Sequence, residues 1–149
     1  MIRLYFVLFM AFMMSSSASY SQELLNKQDT GNLIVTVTGL KNDQGGVIIS
    51  LFDSKESYDG KRQRYTGATV RIENNKAQWK GENIPFGDYA IKAFHDEDSN
   101  GKIDTNFLGI PTESYGFSNN AKGLLGPPGF DKAKFHFDQI EMKIEIEFK

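Results

Sequence analysis

Downstream of residue 31, apolar side chains recur at every second position through most of the chain, a period that predicts strands rather than helices. Leu33, Val35 and Val37 share one side of Leu33–Leu40, and Val47, Ile49 and Leu51 share one side of Val47–Asp53. The intervening KNDQGG has turn chemistry, so these two runs are expected to pair as a β-hairpin. Their β-branched content suits a pleated, half-buried surface. Ser54–Gly67 is charged and glycine-containing, and is expected to be a loop with one helical turn. Ala68–Glu73 and Lys76–Lys80 form a second pair across the tight turn Asn74–Asn75. Pro85 and Gly87 mark a turn into Asp88–His95, where Tyr89, Ile91 and Ala93 alternate with Ala90, Lys92 and Phe94. Near the end, Ala133, Phe135 and Phe137 face one way, as do Met142, Ile144, Ile146 and Phe148, with Asp138–Ile140 turning between the two strands. The pattern comes to about seven short strands separated by turn signals, which predicts an all-β, antiparallel β-sandwich with one long loop.

That loop runs from residue 97 to about residue 131, and a loop of about 35 residues is usually functional or disordered. Phe107, Tyr115, Phe117 and Phe130 favour packed order, and Pro127 and Pro128 stiffen its far end. Its head has a chemical pattern. Asp96, Asp98, Asn100 and Asp104 take the first, third, fifth and ninth positions of a calcium-loop register, with Gly101 at the sixth. A hard cation such as Ca²⁺ takes about 6–8 oxygen ligands, and short oxygen side chains alternating on a tight loop can converge on one point. The carbonyl of Lys102, at the seventh position, offers another oxygen. Without a cation, carboxylates this close would repel. The last ligand position is Phe107, where an EF-hand has a bidentate Glu, and the flanks are not helical. The segment is therefore not an EF-hand. The missing carboxylate is expected from Glu113, with Glu97 a poorer choice. The alternative is a solvated Asp/Asn/Gly turn.

Composition narrows the classes. Hydrophobic content of 40% and aromatic content of 13% over 149 residues are enough for one packed domain. A net charge of −2 argues against nucleic acid as a partner, and the cations Lys61, Arg62 and Arg64 are expected to be solvated. Residues 1–21 have the pattern of a secretory signal peptide: Arg3, an apolar run from Leu4 to Met14, then small residues at Ala18 and Ser21. The run is shorter than the ~20 residues of a bilayer-spanning helix. Export to the periplasm, cell envelope or medium is expected, with no membrane span after signal cleavage. Residues 22–31 form a flexible lead-in, and 32–149 the domain. No cysteine is present, so any metal site is limited to oxygen and nitrogen ligands, which favours hard cations. Of the two histidines, His95 ends a strand beside Asp96, and His136 is expected on an exposed face.

The segments FGDYAIKAFHDEDSNGKIDTNFLGIPTESYGFSNN and GPPGFDKAKF resemble the signature of the DUF2141 family of exported bacterial proteins. The resemblance spans Leu33 to Phe148. It implies a β-rich exported domain without an assigned activity, similar in fold to immunoglobulin-like or transthyretin-like sandwiches. The expected function is a non-enzymatic binding or structural module with a Ca²⁺-stabilised Asp-rich loop, its partner an envelope protein or a glycan. A second reading is a carbohydrate- or peptide-binding domain that stacks ligand on Tyr115, Phe117 and Trp79, although a lone strand Trp is more often core. A third is a hydrolase using Asp96, His95 and Glu113, weakened by the lack of a nucleophile elbow.

Overall fold

The computed structural model describes residues 29–148. The expected signal peptide, and residues 22–28 of the lead-in, lie outside the described residues. In chain order the elements are β1 (Thr30–Thr38), β2 (Gly46–Phe52), the helical turn α1 (Lys55–Tyr58), β3 (Thr66–Val70), β4 (Ile72–Glu73), β5 (Lys76–Pro85), β6 (Gly87–Asp96), β7 (Tyr115–Phe117), a 3-10 turn (Ser118–Asn120), α2 (Phe130–Ala133), β8 (Phe135–Phe137) and β9 (Glu141–Glu147). They build two sheets, β4-β5-β1-β9 and β3-β2-β6-β7, with β8 also paired to β6. β7 pairs with Lys92–Phe94 and β8 with Gly87–Tyr89, so the two short strands lie end to end along one side of β6.

The alternation read from the sequence decides which side chains meet between the sheets. Leu33, Val35 and Val37 from one sheet, and Val47, Ile49, Leu51, Tyr89 and Ile91 from the other, are buried in one core with Phe137 and Ile146. Trp79 packs against that core from β5. Covering both sheets with a single apolar layer is the dominant stabilising term, at about 25 cal/mol per Å² of apolar surface removed from water.

Five expectations need correction. Ala133 does not share a strand with Phe135 and Phe137: Phe130–Ala133 is helical, and only Phe135–Phe137 is strand, paired with β6. β1 and β2 are not a hairpin: β1 pairs with β5 and β9, β2 with β3 and β6. Both strands are apolar on one side, and those sides bury each other more fully across the two layers than side by side. The sandwich is not wholly antiparallel, because β1 and β9 run parallel, with Val35 opposite Ile144. A parallel pair needs a long crossover, and here the whole chain between them supplies it. The expected Ala68–Glu73 strand is divided: Thr66–Val70 stays in one sheet, and Ile72–Glu73 crosses to the other. Asn74 and Asn75, with φ of 54° and 56°, then make the β4–β5 turn where it was expected. Finally, Thr30 and Gly31, placed in the lead-in, already pair with Pro85 and Ile84, since backbone ladders need no apolar side chains.

A second cluster covers the outer face of β6, made of Tyr58, Ala90, Phe117, Phe130 and Ala133. It pins down much of the long loop. Ser118, fully buried, accepts from Ile91 N at 2.8 Å and donates to Ala133 O at 2.5 Å, tying β6, the 3-10 turn and α2 together. On the other side of β7, Gly116 touches the opposite sheet, where an added Cβ would lie 2.6 Å from Ile146 Cγ2 and 3.0 Å from Phe148 Cδ1. Gly116→Val is expected to destabilise by about 1–3 kcal/mol, seen as a lower urea midpoint at unchanged slope; an unchanged midpoint would show that the seam yields freely.

Burial also pushes the phenols of Tyr58 and Tyr89 from 10.0 up to about 12. Each donates to a carbonyl, Tyr58 to Pro128 O at 3.0 Å and Tyr89 to Pro85 O at 2.8 Å. The folded state therefore favours the protonated phenols, a contribution complete below the unfolded pKa and lost as pH rises through the folded one. Denaturant-derived stability should show no tyrosine-linked decline below pH 10.0 and should fall between there and about pH 12. The Tyr58→Phe, Tyr89→Phe double variant should reduce that alkaline slope, and an undiminished slope would assign it to other groups.

Candidate functional site

β6 delivers Asp96 to the head of the long loop, where its side chain is only 3% exposed. Its two oxygens accept from Asn100 N and Gly101 N, both at 3.0 Å. Ser99 and Gly101, at φ of 60° and 79°, fold the loop back over the carboxylate. Asp98 accepts from Asn100 N at 3.1 Å through Oδ1 and from Asn100 Nδ2 at 2.9 Å through Oδ2. Glu113 returns from the far side of the loop as a staple. Its Oε1 accepts from Glu97 N and its Oε2 from Asp104 N, both at 2.9 Å. Between these ends, residues 104–112 fold as a small hairpin: Thr112 N donates to Asp104 O, Thr105 bridges Pro111, and Asn106 Oδ1 accepts from Leu108 N and Ile110 N.

Of the expected ligand set, Asp96, Asp98 and Glu113 are brought together, each with a carboxylate oxygen within 4.8 Å of the others. The Asp104 carboxylate lies outside that group and is bridged to Asp98 by Asn100 Nδ2, at 3.1 Å from Asp104 Oδ1. Asn100 presents its amide nitrogen to the carboxylates of Asp98 and Asp104, while its Oδ1 accepts from Lys102 N at 2.7 Å. A half-turn of that amide would offer the oxygen instead. Lys102 enters through its N–H. Like charges at such separations repel by a few kcal/mol per pair. The amide donors offset part of this, and each carboxylate oxygen keeps a lone pair for a further partner. The donor set is all oxygen, which fits a hard divalent cation.

The expected hydrolase trio does not assemble. Successive strand residues point to opposite faces, so His95 diverges from Asp96. It is fully buried, with Nε2 2.7 Å from Gln44 O, and Nδ1 is 3.7 Å from Glu97 Oε1 without a hydrogen bond. His136 is exposed, as expected, and lies 2.7 Å from Asp88. Of the three aromatic residues, Trp79 belongs to the other sheet and packs on the core, whereas Tyr115 and Phe117 meet edge to face with ring centres 5.8 Å apart and both line one cleft, Tyr115 exposed and Phe117 mostly buried.

The sequence reading missed the cleft beside this loop. It has a volume of about 750 Å³ and lies on the outer face of the five-stranded sheet. Phe52, Lys92, Phe94 and Tyr115 line its sheet side, Leu108–Pro111 one wall and Leu125–Pro127 the other. Lys92 Nζ donates to Tyr58 O at 2.6 Å and sits 4.0 Å from the Tyr58 ring centre and 5.2 Å from that of Phe52. Burial pushes its pKa below the ordinary lysine value. The available signal was in β6: Ala90 and Phe94 on its second face marked a strand covered on both sides.

A family model described as an uncharacterized protein conserved in bacteria (DUF2141) matches residues 35–145. No curated protein matches the chain. The staple leads to a local expectation. Glu113→Ala should destabilise by about 1–3 kcal/mol, because two amides lose their acceptor. Amide exchange should accelerate across residues 97–112 while β1 and β2 stay protected; uniform acceleration would mean that Glu113 supports the whole fold.

Proposed function

The chain belongs to the DUF2141 family, and on that basis we propose that it is an exported, non-enzymatic binding module whose Asp-rich loop is fastened by Ca²⁺ and walls a ligand cleft. The convergence of Asp96, Asp98 and Glu113 carries the reading, because Glu113 approaches from the opposite end of the loop to meet the other two. An ion there would join both ends of the segment and replace mutual repulsion with attraction. The leader-like composition of residues 1–21 supports export. Two packed sheets of mostly short strands support an immunoglobulin-like or transthyretin-like architecture. No helix among the described residues is long and apolar enough to cross a membrane. The separation of His95 from Asp96 favours binding over hydrolysis.

A ligand that binds only the folded state stabilises it by RT ln(1 + [L]/Kd), or about 2.7 kcal/mol at a hundredfold excess over Kd. Millimolar Ca²⁺ should raise the melting temperature by several degrees relative to EDTA, and Asp98→Asn, at an exposed position, should remove most of the increment. Superimposed melting curves in Ca²⁺ and EDTA would sink the ion.

A further inference from the structure

We propose that the cleft binds an unbranched aliphatic carboxylate, its head group at Lys92 and its chain beneath the Leu108–Pro111 wall. The inference rests on the binding-module reading but not on the ion. Three observations combine. The first is size: about 750 Å³ falls within the roughly 300–1,000 Å³ typical of small-molecule sites.

The second is charge. An ammonium has three donors, and one N–H of Lys92 goes to Tyr58 O. Among the described residues no carboxylate lies within ion-pair distance of Lys92. The charge of Asp59 acts on it from farther away, and Asp59 is itself paired with Lys55 at 2.8 Å. A second cation stands nearby: Arg64 donates at 2.9 Å to Ser50, the cross-strand partner of Lys92. A half-buried cation among aromatic rings gains more from an anionic partner than a solvated one does, because the local dielectric is low.

The third is the mouth. Leu108, Ile110 and Leu125 line the cleft yet are 68%, 55% and 100% exposed. Large exposed apolar side chains grouped in one place mark a binding surface, and an alkyl chain leaving the head group would cover these three. A glycan would need paired donors and acceptors along the walls. The polar side chains here are few, and the Ser50 hydroxyl is already engaged by Arg64.

The test is displacement of fluorescent 11-(dansylamino)undecanoate from the full chain by octanoate, decanoate, dodecanoate and dodecanol, each in Ca²⁺ and in EDTA. Affinity should rise about three- to fourfold per added methylene, and dodecanoate should exceed dodecanol about tenfold or more. Lys92→Met should abolish that preference. Leu125→Ser, at a fully exposed position, should weaken dodecanoate more than octanoate. Absence of displacement, equal affinity for acid and alcohol, or no dependence on chain length would overturn the proposal. Displacement in both buffers alongside superimposed melting curves would remove the ion and keep the ligand; displacement in neither would remove the ligand whatever the melting curves do.

Discussion

Everything in this molecule depends on the burial of β6 on both faces. It pairs with β2 along one side and with β7 and β8 along the other. Tyr89, Ile91 and Ala93 point into the layer between the sheets, while Ala90 sits beneath the second cluster. A strand with partners on all sides is hard to displace, so whatever it carries at its end is held in place. What it carries is Asp96. On its outer face it also carries Lys92, which forms part of the cleft lining. Acidic loop and cleft are thus both positioned by one rigid element.

The loop at the end of β6 is ordered by an economy of carboxylates. Asp96 and Glu113 are almost wholly buried, and each engages two backbone amides. Charge-assisted bonds of this kind are stronger than neutral ones, and they close a segment whose large apolar side chains, Phe107, Leu108 and Ile110, stay exposed rather than form a core. The same bonds bring Asp98 and Glu113 close enough to repel. Amide donors and a divalent cation are complementary answers to that repulsion: the first set the loop's shape, and the second would neutralise what charge is left.

The hairpin at residues 104–112 connects this electrostatics to the cleft. Its base is held by Glu113 at Asp104 N, and its tip contributes Leu108 and Ile110 to the cleft wall. Whatever stiffens the base therefore limits the motion of the wall. Apolar residues at the mouth would be a liability on an isolated surface. Placed over an aromatic floor with a single ammonium, they complete an amphipathic site.

Much of this was legible without coordinates. Period-two alternation determined which side chains are core, and it held for Leu33, Val35, Val37, Val47, Ile49 and Leu51, because burying one face of a strand leaves little choice of pattern. Asn74–Asn75 made the expected turn, and the spacing of Asp96, Asp98 and Gly101 marked the loop, since local backbone chemistry is written locally. Strand pairing was legible only across the Asn74–Asn75 turn, where Ile72–Glu73 pairs with β5; elsewhere it was not, since β1 and β2 fell into different sheets, and β1 found β9 across the length of the chain. Long-range pairing is decided by the sum of distant contacts, and no single segment contains that information. The cleft was hidden for the same reason. Lys92, Tyr115, Leu108 and Leu125 are far apart in sequence and become one surface only when β6, the hairpin and the Gly-Pro segment pack against the same sheet.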